Sequence, residues 1–446
     1  MEDWRLTGQD KYMKNIEFSD FGKKLCGESG ILQLMDDLGK PLPKDIPSYQ
    51  LGGGNPALIP EIEKMYRTRM ESILSDGDEF EKLIGRYDAP QGKISFIEDV
   101  AEYLSLKFGW KISAENVAVT NGSQSAFFYL FNLFSGTFSR AGKKKNIILP
   151  LVPEYIGYAD QGLEPDTFVG IPATYTKVSD HTFKYNVDFD LLEEYLKTHD
   201  DAGALCVSRP TNPTGNVLTN AEIKRLAGLA AEYDIPLMVD NAYGLPWPDI
   251  IFDDSAIPYW DENVILSMSL SKIGLPSLRT GIIIADSRII KALSNLNAIA
   301  ALASGSMGQA IAGSLIKDGT LIEAAKKYVK PFYYQKSVKT QDAIHKYFAG
   351  GDYAVHKSEG AIFLWLLMND LSISSKEFYS RLKEKGVVVV PGEYFFFGNA
   401  KDSFLPPVES HPHYSKCIRL NYSRPETEVD EGIRLIAETY MKYRKQ

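Results

Sequence analysis

The chain has 446 residues, 44% hydrophobic and 24% charged, which is the balance of a globular protein and excludes a disordered chain, a fibre or a disulfide scaffold. Against 49 basic residues stand 58 acidic ones, a net charge of -9, and no dense Lys/Arg block offers a surface for nucleic acid or an anionic membrane. At roughly 100–200 residues per domain the length allows two to four domains and a cleft between them.

In chain order, the opening Met1-Glu2-Asp3-Trp4-Arg5 is acidic and polar with no apolar stretch behind it, so no secretory signal is expected. Pro41, Pro43 and Pro47, with a helical segment at Gly30–Leu38, predict an arm and helix over residues 1–50 that join a C-terminal domain. Short apolar runs at Asn116–Thr120, Asn146–Pro150, Ala204–Ser208, Pro236–Asp240, Val264–Ser269 and Gly281–Ala285 alternate with amphipathic stretches such as Asn220–Tyr233. This is the βαβα pattern of an α/β fold whose mainly parallel sheet is covered on both faces. It defines a large domain over residues 51–325.

From about residue 330 the pattern changes to a charged helix at Lys336–Phe348, strands at Ala361–Met368 and Val387–Val390, and a helix from Glu426. Residues 326–446 read as a smaller α+β domain. The longest apolar runs stop far short of the roughly 18 residues that span a bilayer. Cys26, Cys206 and Cys417 are odd in number and far apart, which fits a reducing, cytoplasmic setting, buried apolar side chains and no metal site.

Three segments carry chemistry. After Val117–Thr120, the run Asn121-Gly122-Ser123-Gln124-Ser125 opens an apolar helix, and hydroxyls with free N–H groups at a helix start suit a phosphate, although a plain N-cap reads the same way. Asp240 ends a buried strand, where an ionised carboxylate needs a cationic or hydrogen-bonding partner; a protonated pyridine nitrogen serves, and so does a helix-capping role. In Asn263–Gly281, a strand delivers Ser269, Ser271 and Lys272 to a loop, with Arg279 seven residues beyond the lysine. Desolvation lowers a lysine's pKa and makes it a nucleophile and base, whereas alone it reads equally as a surface lysine.

Together the three supply a phosphate anchor, a pyridinium partner and a Schiff-base amine, the requirements of pyridoxal 5′-phosphate. The chain resembles the fold type I, class I/II aminotransferases, and within them the valine–pyruvate subgroup, from Phe21 to near the C-terminus. The stretches NGSQSAFFYLFNLF, PEYIGYAD, CVSRPTNPTGNV and KPFYYQ carry the resemblance. It implies a seven-stranded, mainly parallel sheet sandwiched by helices, pyridoxal phosphate as cofactor, and a homodimer with shared sites.

By the same resemblance Lys272 is the cofactor-bound lysine, Asp240 the partner of the ring nitrogen, and Tyr243 and Asn212 the donors to the ring oxygen. Tyr155 matches the stacking aromatic. Gly122, Ser123, Gln124, Ser269 and Arg279 match the phosphate cup, and Tyr87 the tyrosine that reaches the neighbouring subunit's phosphate. Arg419 matches the arginine that grips the substrate carboxylate, and Gly54 the glycine that closes over it. Glu359-Gly360-Ala361 departs from the more usual Gly-Gly pair, and Arg279 lies one residue nearer the lysine than in many relatives.

The implied reaction is ping-pong amino transfer, with valine and pyruvate giving 3-methyl-2-oxobutanoate and alanine. Ala292–Ile316 contains no Lys or Arg, which argues against a second carboxylate on the substrate. A broad 2-oxo-acid aminotransferase or a pyridoxal-phosphate β-lyase would use the same cofactor residues. A DNA-binding regulator on this fold is disfavoured, since the first fifty residues carry no basic helix-turn-helix pattern.

Overall fold

The computed structural model describes residues 17–27, 29–39, 47–140, 142–399 and 403–445. Of the expected N-terminal arm, residues 1–16, Pro41 and Pro43 lie outside these, while the expected helix is present at Gly30–Gly39.

The apolar runs pair as their alternation with helices dictates. The strands Val117–Asn121, Thr280–Ile284, Val264–Ser269, Leu237–Asp240, Ala202–Ser208 and Lys143–Val152 lie side by side in that order, and Phe168–Pro172 and Gly136–Phe138 both pair with Lys143–Val152. All run in one direction except Thr280–Ile284 and Gly136–Phe138. Every residue of Ala202–Ser208 and Val264–Ser269 is buried, which requires cover on both faces of the sheet. The sheet has 8 strands where seven are expected. The added one, Gly136–Phe138, pairs with the lysines at 143, 144 and 145, a charged run that gives no hydrophobic signal of a strand.

Some helices start where a side chain satisfies their free N–H groups, as Asp188 does for Phe189–Thr198 and Ser374 for Ser375–Lys383. Thr219 caps Asn220–Glu232 in a reciprocal box with Glu222. Helix Ser123–Phe134 is among those without a side-chain cap, and its cap residue is Gly122.

A second sheet of 6 strands runs Val390–Pro391, Cys417–Asn421, Phe363–Met368, Tyr353–His356, Thr182–Asn186 and Thr174–Ser179. A hairpin from mid-chain thus completes the C-terminal sheet, through parallel pairing of Thr182–Asn186 with Tyr353–His356. The single strand expected at Val387–Val390 is split: Val387–Val388 pairs with Tyr49–Gln50, and Val390–Pro391 with Cys417–Asn421. Cys206 and Cys417 are buried as expected, but Cys26 is exposed, because the short helix Asp20–Leu25 that it follows buries none of its residues. Among the described residues no helix is long and apolar enough to cross a membrane.

Candidate active site

The carboxyl ends of the parallel strands converge, and α/β sheets place ligands at that edge. Ser208 and Ser267 flank Asp240 in register, and Ser269 pairs with Gly281. Beyond this edge opens a cleft of about 590 Å³, the size of a small-molecule site.

Lys272 follows strand Val264–Ser269 by three residues and reaches back into the cleft. Its Nζ donates to the Gly54 carbonyl at 2.7 Å and lies 5.4 Å from the centre of the Tyr243 ring. Burial, with the Arg419 and Arg279 charges, brings the ammonium down to about 8 against the pull of Asp240, so an uncharged amine is accessible near neutral pH.

Asp240 is held by two donors: the Tyr158 phenol at 2.6 Å on Oδ2 and the Ala242 N–H at 3.0 Å on Oδ1. Burial pushes its carboxyl up, and these bonds and Lys272 oppose that rise. A cationic ring nitrogen seated there would complete its partners.

At the start of helix Ser123–Phe134 the cleft is ready for an anion. Gly122 has φ +82°, and a Cβ placed on it would come within 2.2 Å of Arg279 Nη2, so only glycine lets that guanidinium lie against the helix start. Ser123, Gln124, Ser269, Ser271 and Arg279 line this corner, with an uncapped helix N-terminus at their centre. The donor set fits a phosphate.

Arg419 is 2% exposed on strand Cys417–Asn421. Its Nη1 donates to Asn212 Oδ1 at 2.8 Å and its Nη2 to the Gly52 carbonyl at 2.5 Å, and its plane lies over Phe363 with Cζ 4.1 Å from the ring centre. Nε is buried without a hydrogen-bond partner, and Arg419 lines the cleft. Burial lowers the guanidinium only to about 10, so it remains a cation. A carboxylate suits this fork.

The family model for class I and II aminotransferases matches residues 81–436. The chain belongs to the class I and II aminotransferases. The valine–pyruvate aminotransferase of Escherichia coli K12 is 46% identical over 424 residues, which cover 95% of this chain and 98% of that protein. A solved putative amino-acid aminotransferase from Psychrobacter arcticum 273-4 superposes with a TM-score of 0.91 at 42% identity, covering 96% of this chain and 99% of that one. The solved valine–pyruvate aminotransferase of Salmonella typhimurium LT2 gives 0.82 at 43% identity, covering 93% and 99%.

In this aminotransferase, which acts on amino and 2-oxo acids, the cleft gathers Gly54, Ser123, Gln124, Tyr155, Asn212, Asp240, Tyr243, Ser269, Lys272, Arg279 and Arg419, all expected from sequence. Gly122 abuts Arg279 just behind the wall. Tyr87 is not brought in; it is 86% exposed on the surface. Sequence reading missed Tyr158, whose only signal is its spacing of three from Tyr155 across one 3-10 turn, Ile156–Tyr158. It also missed Ile31 and Met35, cleft residues four apart on one helix face, and Phe363 beneath the arginine.

Proposed function

We propose that this aminotransferase exchanges amino groups between small aliphatic amino acids and 2-oxo acids, with valine and pyruvate as the favoured pair and pyridoxal 5′-phosphate as cofactor. The observation that carries this reading is the convergence of a low-pKa lysine, a strand-end carboxylate, a helix start beside an arginine, and a second, buried arginine in one cleft.

Ser123, Gln124, Ser269 and Arg279 would hold the phosphate, Tyr155 the ring face, Asn212 and Tyr243 the ring oxygen, and Asp240 the protonated ring nitrogen. When bound, the cofactor supplies an electron sink for the substrate carbon that loses its proton. Arg419 orients the substrate α-carboxylate and Gly54 closes over it. Lys272 Nζ would hold the cofactor's aldehyde carbon and, as a free amine, would take the proton from the substrate Cα as base and hand it on as its conjugate acid.

The preference for an aliphatic side chain is supported by the cleft lining. Its cations are Lys272, Arg279 and Arg419, each already assigned, and Ile31, Met35 and Phe363 add apolar wall. No further cation lines it among the described residues to meet a second carboxylate. The 46% identity to a protein named for valine and pyruvate agrees. One methylene changes discrimination by only about 1–3 kcal/mol, so alanine and 2-aminobutyrate should react as well.

The working unit is a homodimer in the cytoplasm, with Tyr87 completing the partner's phosphate site. Support comes from the surface around Tyr87. Its loop is tied through Asp88 to Ser306 and through Pro90 to Asn297, next to the exposed Ile299 and Leu302.

Single-turnover conversion of the cofactor-loaded enzyme by a panel of amino acids tests the substrate class. Valine, alanine and 2-aminobutyrate should react fastest, without ammonia release. Fastest conversion by aspartate would overturn the aliphatic pocket, and stoichiometric ammonia would make the enzyme a lyase.

A further inference from the structure

Glu359 lies outside the cleft, yet two of the three groups that hold Arg419, Asn212 and Phe363, trace back to its segment, the third being the Gly52 carbonyl. Its carboxylate is 6% exposed. Oε2 accepts from the Val217 N–H at 3.1 Å and from Lys184, and Oε1 accepts from Lys357 at 2.8 Å. Lys184, on the mid-chain hairpin strand Thr182–Asn186, also donates to the Val217 carbonyl at 3.1 Å. Burial pushes the Glu359 carboxyl up, and the two lysines and the Val217 N–H more than reverse it, so it is ionised at neutral pH.

One support runs backward from Glu359. Its N–H donates to Gly215 O, and Val217 closes the turn in which Thr211 N–H bonds Asn216 O at 2.8 Å. That turn carries Asn212, which receives Arg419 Nη1. The other support runs forward. Gly360 packs so tightly that a Cβ would sit 2.5 Å from Ile250 O, and Ala361 holds φ +61°, a strained left-handed conformation for a residue with a side chain. The Ala361 N–H bonds Ile250 O at 3.0 Å and its carbonyl accepts from Tyr422 at 2.6 Å. Phe363, two residues on, lies under the guanidinium.

We propose that Glu359 is a positioning residue for substrate-carboxylate binding, fixing through its pair with Lys184 both the Asn212 turn and the Phe363 strand that hold the Arg419 guanidinium. This rests on the reading of Arg419 as the carboxylate ligand.

The test uses the cofactor-loaded enzyme with isovalerate, a carboxylate that cannot react, as calorimetric probe. Glu359→Gln and Lys184→Met should each raise the isovalerate Kd and the KM for valine by about tenfold, because a misplaced guanidinium loses uniform binding energy. The kcat should stay within about twofold, as expected when only uniform binding is lost. The double variant should lose clearly less than the sum of the two single ones, since both remove the Lys184–Glu359 pair. Unchanged isovalerate binding, a fall in kcat or cofactor retention at constant KM, or additive losses would overturn the proposal. If Glu359→Gln does not fold, Lys184→Met alone decides. Arg419→Lys is the reference: if it weakens isovalerate and the other two variants do not, only Glu359 loses its role, whereas if it too leaves isovalerate unaffected, the Arg419 reading and this proposal fall together.

Discussion

Tyr158 donates to Asp240 Oδ2 at 2.6 Å from a fully buried ring, with the rings of Phe127 and Phe131 5.0 and 5.1 Å away. The bond favours the ionised carboxylate, against the burial that pushes Asp240 up. Tyr158→Phe keeps the aromatic packing and removes about 1–2 kcal/mol of that support. Asp240 then needs a higher pH to ionise. The acid limb of the kcat–pH profile should move upward, and on that limb kcat at a given pH should fall by about tenfold. An unmoved acid limb would separate Tyr158 from the ionisation of Asp240.

Lys272 gives a pH dependence of stability with a defined sign. In the unfolded chain its ammonium titrates at the ordinary 10.5, and in the folded, cofactor-free protein at about 8 because it is buried beside two arginines. Between these values the unfolded state binds the extra proton, so stability rises with pH across that window. Below it, the folded state carries the whole cost of a buried charge, roughly 2 kcal/mol after allowing for partial exposure. Urea unfolding of the cofactor-free chain from pH 7 to 10.5 should therefore show a slope that Lys272→Met lacks, with the variant more stable at the low end. Parallel curves for the two proteins would contradict it.

The residues proposed to meet the ligand were legible because each stands at or just beyond the end of an apolar strand: Asp240, Lys272 and the Asn121–Ser125 run. Strand Val264–Ser269 was legible to the residue. What supports them was not. Glu154, 1% exposed, accepts the Tyr155 N–H at 2.8 Å and the Ser208 N–H at 3.1 Å, and burial lifts its carboxyl to about 8. Ser208 lies 54 positions along the chain, so no local pattern announces the pair. Likewise Thr174–Ser179 is exposed at every position and has no hydrophobic alternation, so its hairpin is specified only by pairing with Tyr353–His356.

Gly122→Ala tests the anion corner. The new Cβ would collide with Arg279 Nη2 at 2.2 Å, and φ +82° adds strain of about 1–2 kcal/mol for any side chain. Arg279 is exposed and can swing away, so the fold should persist while the phosphate loses a ligand. Inorganic phosphate should stabilise the cofactor-free variant much less than the parent in thermal melts, and cofactor Kd should rise by about tenfold. Arg279→Ala should do the same, with no further loss in the double variant. Equal phosphate protection in parent and variant would remove this corner from cofactor binding.

Arg419→Lys separates substrate from cofactor. The native guanidinium spends Nη1 on Asn212 and Nη2 on Gly52, keeps Nε unpaired, and stacks on Phe363. A lysine retains the charge but has no planar fork, so it cannot hold Asn212 and Gly52 while meeting both oxygens of a carboxylate. Losing one charge-assisted bond of about 1.5–3 kcal/mol should raise KM for valine and for pyruvate by roughly ten- to a hundredfold. Both substrates should suffer alike, because each presents its carboxylate to the same group in its own half-reaction. The cofactor's affinity should change much less, since Asn212, the one expected cofactor ligand that Arg419 bonds, stays anchored in the Thr211–Asn216 turn. A shift confined to cofactor binding, or to one of the two substrates, would mean that the arginine orders the Asn212 turn and does not grip the carboxylate.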